Sequence, residues 1–594
     1  MDRVLEIVLN LPEPTLSVWL DQKGQPHERA EATLAETLDG LHGFERAGGV
    51  DAADAPDADA ADAADAPDAS YALTCFDGAR KLARAGWRVT AEVSQHPQQQ
   101  RRVIAMRRTT HAPGVTVCET ACDVALEEQA PVDAAFEFAP AALAHALAQV
   151  RELKTVATLE RRRLRWQRHE PDSAHATATV GIELNVARCA AEDAAATATL
   201  RELRVTVRVT EPVEPAEDGQ AETVQRAQRK GAQSAQAASG ADASNARHAQ
   251  LASPAPFDTA LATLFAVAHE LVAALPAFPV LADAIDRVCR TDVERDRKPV
   301  RARPIELDGV HTPHQALQAI GQNVAQQWFG NEAVLRDEPD VEFIHQLRVA
   351  QRRLKTATRI FPAWIDRAWS TQVEPRLKWL SDLLGQARDW DVFTDETLPG
   401  LAQADVDVDA WNATRAAADQ RRLEARRQVQ QALRSPAYAA LALAWLGWMS
   451  ELAVRGAPDK ARGRSLRGYV RKRVAKHFQR VTREPKLTAL DAPARHKVRI
   501  QAKRLRYMLE FFESLASHRT RREVAKVLSR MQGVLGAGND AAVALQFLEQ
   551  LQVEPYQLGF ARGWCEALKH HTAQEGERLL GTLHTPKIVS GNGG

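Results

Sequence analysis

One eleven-residue pattern occurs twice in this chain. His345-Gln346-Leu347-Arg348-Val349-Ala350-Gln351-Arg352-Arg353-Leu354-Lys355 returns 151 residues later as His496-Lys497-Val498-Arg499-Ile500-Gln501-Ala502-Lys503-Arg504-Leu505-Arg506. On a helix, at about 100° per residue, His345, Arg348, Arg352, Lys355 and Arg359 step by three or four and fall within roughly a quarter of the circumference. Leu347, Leu354 and Phe361 step by seven and form an apolar stripe beside them. In the second copy His496, Arg499, Lys503 and Arg506 carry the basic stripe, and Val498, Leu505 and Phe512 the apolar one. Each such helix can pack into a bundle while a column of positive charge faces a cleft.

A second motif follows at the same offset. Leu384-Gly385-Gln386-Ala387-Arg388-Asp389 is matched by Leu535-Gly536-Ala537-Gly538-Asn539-Asp540, again 151 residues on. Two motifs at one offset argue for duplication of a whole structural unit, giving a pseudo-symmetric pair of helix sets with two basic columns. The alternative is an ordinary solvated face, where Arg and Lys lie on apolar surface with their heads in water. Solvated helices usually mix signs at i, i+4, and few acidic residues interleave here.

The net charge of the 594 residues is zero, but the two halves differ. Residues 311–594 hold 43 Lys and Arg against 30 Asp and Glu, a net of +13, leaving −13 for the first 310. The excess peaks over 452–530, with 23 basic and 6 acidic residues. Such a half points to a polyanion: nucleic acid, anionic lipid or a phosphate chain. Cysteines stand at 75, 118, 122, 189, 289 and 565. Cys118 and Cys122 lack the second pair or nearby His that a zinc site needs, so all six read as reduced thiols. The N-terminus has no signal-peptide core, and the apolar run around Ala437–Met449 reads as a buried helix too short to span a bilayer. The expectation is a soluble cytoplasmic protein with no membrane partner.

Residues 3–11 alternate like a strand. The Ala/Asp-rich segment 51–70 and the Ala/Gln/Ser-rich segment 212–256 read as disordered insertions. Strand patterns recur at 71–76, 87–93, 102–107, 115–118, 155–169, 176–186 and 200–209, with helices at 140–152 and 257–275. They predict an α+β domain built on one antiparallel sheet, open or closed. A linker is expected at 297–312. From His314 to about Leu583 the pattern is helical almost throughout, with repeats of about 313–450 and 462–585 and a tail at 586–594.

On both HxxRVxxxRRL-type helices and both LG-x-x-[RN]-D segments, the helical half resembles the CHAD family, the conserved-histidine α-helical domain. The resemblance implies two pseudo-symmetric four-helix bundles around a basic groove that binds inorganic polyphosphate. His345, Arg348, Arg352, Arg353, Lys355, Arg359, Arg388, Arg471, Arg473, His496, Arg499, Lys503, Arg504 and Arg506 would line it. It also implies location on polyphosphate granules, with granule-associated proteins as further partners. Lys503 replaces the family's Arg, and Asn539 stands where the first copy has Arg388.

The first half resembles the CYTH family, the triphosphate tunnel domains, in its strand succession and in Cys75-Phe76-Asp77, where that family has Tyr-Phe-Asp. The family opens with Glu-x-Glu-x-Lys, whereas this chain has Glu6-Ile7-Val8-Leu9-Asn10. Its paired arginines appear as Trp87-Arg88-Val89-Thr90, and its later Glu-x-Glu as Glu202-Leu203-Arg204. Valine cannot ligate a hard cation and asparagine cannot neutralise phosphate. The expectation is a degenerate tunnel-like barrel with no catalytic residue, metal or cofactor, followed by a polyphosphate-binding all-α domain. In that domain Arg forks would chelate phosphate oxygens, and the histidines would add donors when protonated. Two alternatives stand beside it: a metal-dependent inorganic triphosphatase, and a nucleic-acid binder, against which the scarcity of aromatics in the basic stripes counts.

Overall fold

The computed structural model describes residues 2–11, 34–41, 43–46, 70–77, 81–94, 101–112, 114–127, 130–169, 178–190, 198–210, 254–281 and 298–589. They fall into two compact units, Met1–Asp296 with Ala442–Arg455, and Arg297–Leu441 with Gly456–Gly594. The layout is α+β followed by all-α.

Ten strands form the sheet of the first unit: β1 Asp2–Asn10, β2 Glu45–Arg46, β3 Ser70–Asp77, β4 Trp87–Ser94, β5 Arg101–Ala112, β6 Val115–Glu127, β7 Lys154–His169, β8 Ala178–Ala190, β9 Ala198–Thr210 and β10 Phe278–Val280. All pairings are antiparallel. Neighbours run β1-β6-β5-β4-β3-β7-β8-β9, and β9 pairs back with β1, so eight strands hydrogen-bond in a closed circuit. β1 pairs with β9 along its whole length, Asp2 opposite Thr210 and Asn10 opposite Glu202. The two faces follow the period-two pattern. On one, Val89, Ala91, Ile104 and Met106 are buried with Leu82, Ala135 and Leu143 of the short helical segments. The other face carries Glu6, Thr90, Glu92, Arg163, Arg165, Glu183, Asn185, Glu202 and Arg204, contributed by β1, β4, β7, β8 and β9.

Strands β5 and β6 run further than their apolar patterns, because Arg101–Ala112 and Val115–Glu127 pair with each other along nearly all their length. β10 carries no strand signal of its own and exists by pairing with Val8, Leu9 and Asn10. Of the insertions expected near 45–70 and 212–256, residues 47–69 and 212–253 lie outside the described residues. Glu45 and Arg46 pair with Gln167 and Trp166 as β2, and residues 254–256 open helix α1, Pro254–Ala274.

The later helices are α2 Pro313–Asp337, α3 Val341–Ile360, α4 Glu374–Val392, α5 Asn412–Leu433, α6 Pro436–Val454, α7 Leu466–Val481, α8 Ala492–Phe511, α9 Ala525–Gln550 and α10 Pro555–Gly581. The 151-residue offset extends far beyond the two motifs. It relates the bounds of α3 to those of α8, the 3₁₀ turn Pro362–Trp364 to Glu513–Leu515, the π turn Trp369–Val373 to Thr520–Val524, and the start of α4 to that of α9. Phe361 and Phe512, counterparts under the offset, meet at 6.3 Å. Trp390 stacks on Phe547 at 3.8 Å, which also joins the two copies.

Helix α6 is longer than the apolar run read from the sequence. By length and composition α1 and α6 each suffice to cross a membrane, but 67% of the α6 window is buried within the fold. The segment expected as a linker is pinned: Val300 donates its backbone N–H to Asn331 at 2.9 Å and accepts from the same side chain at 2.8 Å. The expected tail is also engaged, since Ile588 bridges Ala516 and Arg467 donates to the Val589 carbonyl.

Candidate functional site

Both signature helices begin on an aspartate. Asp340 accepts from the backbone N–H groups of Glu342 and Phe343 at 2.9 and 3.2 Å, and its counterpart Asp491 accepts from Ala494 at 2.7 Å. An N-cap fixes where each helix starts and so sets the phase of everything after it. Leu347, Leu354 and Phe361, with Val498, Leu505 and Phe512, are all buried as the sevenfold spacing requires. Burying each is worth about 1.5–3 kcal/mol, and the basic stripes are thereby turned to a common side.

The stripes of the two copies converge. Lys503 feels Arg352, Arg499 and Arg348 as its main charged neighbours, and Arg499 feels Arg352, Asp389 and Asp540. Arg348 donates through Nη1 and Nη2 to Asp389 Oδ1, both at 3.2 Å. Thus the aspartate of the second motif holds the first arginine of the first motif. Burial, then Arg352, push Arg348 down to about 10, with Asp389 opposing. Burial, then the three arginines, push Lys503 down to about 6, with Asp540 opposing. His345 joins the same group: burial and then Arg388 lower it below its ordinary value, Arg352 and Arg348 add to the effect, and Glu342 opposes. Arg388 reaches Glu396 at 3.5 Å. His345, Arg348, Arg352, Arg388, Arg499 and Lys503 therefore share one basic column, on which the carboxylates Asp389, Asp540, Glu342 and Glu396 act.

Other expected residues lie elsewhere. Arg353 is fully buried and does not line a groove. It donates to Gln327 at 2.9 Å and Asn323 at 2.8 Å, its Nε lies 3.1 Å from Glu510 Oε1, and its guanidinium sits over Phe511. Helical phase puts it about 100° from Arg352, toward the core. Lys355 is tied to Ser381, and its counterpart Arg506 to Gln532 at 2.7 Å and to Glu510 at 3.5 Å. These pairs match under the offset and brace α3 against α4 and α8 against α9. His496 is exposed at the start of α8, 2.7 Å from Asn539 through Nδ1. On α7, Arg471 is exposed and Arg473 lies over the Tyr469 ring. Arg504 and Arg359 act on each other rather than on the column.

Sequence reasoning missed Asp389 and Asp540 as partners of the column, although both motifs were visible. It also missed Arg480 and the buried His477 on α7. Only the local surplus of basic residues over 452–530 pointed there.

In the first unit the inner carboxylates are matched by arginines. Arg204 reaches Glu6 at 3.3 Å and Glu202 at 3.4 Å. Arg163 pairs with Glu92 and lies 3.8 Å from Glu183, which Arg165 contacts at 3.1 Å. Asp77 accepts from the backbone of Leu82 and Ala83, capping the short helix Lys81–Arg84. Among the described residues no group of three or more His, Cys, Asp or Glu is disposed to hold a metal ion.

The family model described as CHAD domain matches residues 318–549. Among solved structures, the chain is similar to the CHAD domain from the plant Ricinus communis, with 30% identity over 49% of this chain and 100% of that one, at a TM-score of 0.43. It is similar to PptA from Streptomyces chartreusis, with 18% identity over 46% of this chain and 99% of that one, at 0.36. It also matches a putative adenylyl cyclase from Hippeastrum with a dominant triphosphatase activity, with 12% identity over 39% of this chain and 87% of that one, at 0.18. No curated protein matches the chain.

Proposed function

Given that this chain belongs to the CHAD-domain family through residues 318–549, we propose that its helical unit binds inorganic polyphosphate along the column of His345, Arg348, Arg352, Arg388, Arg499 and Lys503. The observation that carries the reading is the convergence of Arg348 and Arg352 of α3 with Arg499 and Lys503 of α8, where burial and then the three arginines lower Lys503 to about 6. Like charges held this close repel one another, and a chain of phosphates supplies successive negative charges that offset the repulsion. Arg forks chelate phosphate oxygens and Lys adds point charge. Location in the cytoplasm on polyphosphate granules is part of the same proposal, and co-sedimentation with purified granules checks it.

The test is a titration of the whole chain with polyphosphates of graded length. Affinity is expected to fall steeply with salt, by analogy with counterion release from nucleic acids. Charge reversal at Arg348 and Arg352 is expected to weaken binding about as much as reversal at Arg499 and Lys503. Equal affinity at low and high salt, a silent pair, or preference for duplex DNA in competition would each defeat the reading.

For the first unit we propose a degenerate triphosphate-tunnel fold. Val8 and Asn10 offer no carboxylate or ammonium on the inner face. Glu6, Glu202, Glu92 and Glu183 are already partnered by arginines, so the residues present do not fit a divalent cation, and no hydrolytic step is derived.

A further inference from the structure

The duplication reverses charge at Arg359 and Glu510. Under the 151-residue offset, Arg353 corresponds to Arg504 and Arg359 to Glu510. On one side of the pseudo-symmetry Arg353 meets Glu510, the two charges cancel, and Gln327 and Asn323 take the remaining donors. On the other side the same two places hold Arg504 and Arg359, and two cations face each other. Arg480 of α7 is the third charge acting on Arg504, and it too is positive. Among the described residues, no ion pair joins Arg359, Arg480 or Arg504 to a carboxylate. Arg504 Nε is buried without a hydrogen-bond partner. His477, one turn before Arg480, is 4% exposed, and its Nδ1 has no partner either. The four charged groups acting on it most, Arg480, Arg504, Arg473 and Lys476, are all cations.

We propose that Arg359, Arg480 and Arg504 form a second oxyanion site, distinct from the column, sized for one phosphoryl group and backed by His477. Arg504 points about 100° away from Lys503 around α8, and Arg359 lies seven residues, about 10 Å, beyond Arg352 along α3, so the site is displaced along the helices from the column. Three guanidinium groups offer bidentate contacts to a tetrahedral oxyanion, and a bound anion relieves the mutual repulsion that a carboxylate relieves at Arg353. The mirror-related pair shows what the fold does when no external anion is required. The ligand is a phosphoryl group, supplied either by a free small phosphate or by one unit of a longer chain.

The experiment measures pyrophosphate binding by calorimetry on three full-length proteins: wild type, the column variant Arg352→Glu/Lys503→Glu, and that variant with Arg359→Glu added. Arg359→Glu rebuilds across Arg504 the pair that Glu510 makes with Arg353. The column variant is expected to retain one pyrophosphate site, and Arg359→Glu to weaken that site at least tenfold. Arg480→Gln provides a second readout should Arg359→Glu fail to fold. In the wild-type background, a loss of long-chain polyphosphate affinity on Arg359→Glu assigns the site to a unit of the chain; a loss confined to pyrophosphate assigns it to a free anion. If the column variant binds no pyrophosphate, or binds it equally well with Arg359→Glu and with Arg480→Gln, the second site does not exist. The column reading is judged separately, by whether Arg352→Glu/Lys503→Glu lowers polyphosphate affinity.

Discussion

Lys503 is the residue on which the column turns. Its pKa of about 6 lies far below the usual lysine value of 10.5, so near neutral pH it is largely uncharged while the site is free. A bound anion favours the ammonium form. Binding at pH 7.5 should therefore take up a proton, and affinity should fall as pH rises above 6. Calorimetry in buffers of different ionisation enthalpy reads the uptake directly, and Lys503→Met should reduce it to what His345 contributes. The stability sign is also fixed. Between pH 6 and 10.5 the unfolded chain holds a proton that folded Lys503 has lost, so the ligand-free protein gains stability as pH climbs through that window. Below pH 6 the charged lysine stands uncompensated among Arg348, Arg352 and Arg499, with Asp540 as partial relief. Neighbouring arginines play opposite parts. Arg353→Ala should destabilise the protein by about 1–3 kcal/mol, because it removes the buried donors that Gln327 and Asn323 accept from and leaves Glu510 with Arg506 alone. Arg352→Glu should raise the denaturant midpoint of the ligand-free protein, by relieving the repulsion on Arg348 and Lys503, and weaken polyphosphate binding. The helical phase of residues 345–359 already separated these two side chains; the family resemblance had merged them.

At the level of elements, the repeat was readable because eleven-residue motifs survive as text. Its full extent was not, since the π turns at Trp369–Val373 and Thr520–Val524 match at no aligned position except Val373 and Val524. Such turns follow from packing, which periodicity does not report. The caps were legible in principle, as Asp340 and Asp491 each precede an apolar-periodic run. Asp340→Ala and Asp491→Ala should each cost about 1 kcal/mol of stability, read as a shift in denaturant midpoint. A much larger loss at one of them would mean that its copy depends on the cap for more than helix initiation. The closure of the sheet was expected, yet β10 was invisible: Phe278–Val280 is too short to show a period and is a strand only because β1 offers it an edge.

For the whole molecule, charge is divided by role. The helical unit carries a surplus with few carboxylates to answer it, while the inner face of the sheet pairs its acids with Arg204, Arg163 and Arg165. That difference was only half legible. Missing ligands at Val8 and Asn10 could be read in the sequence, but the partnership of Glu6 with Arg204 needed the register that brings β1 beside β9. The purified chain should show no appreciable hydrolysis of inorganic triphosphate with Mg²⁺ or Mn²⁺. Each 1.36 kcal/mol of lost transition-state stabilisation is tenfold in rate, and two of three first-strand groups are absent. Turnover abolished by chelator and by Glu6→Ala would restore the enzyme reading.

The pairing of β1 with β9 also sets a timetable. On the ribosome, β1 is made roughly 190 residues before the strand that flanks it along its whole length. Until Ala198–Thr210 has emerged, β1 can pair only with β6 over Arg3–Glu6, and Ile7 and Leu9 have no completed sheet to enter. Closing so distant a contact is slow compared with forming helices from neighbouring residues. Synthesis of this chain therefore passes through a long interval in which its earliest strand is its most aggregation-prone part, and that is where a chaperone would be needed.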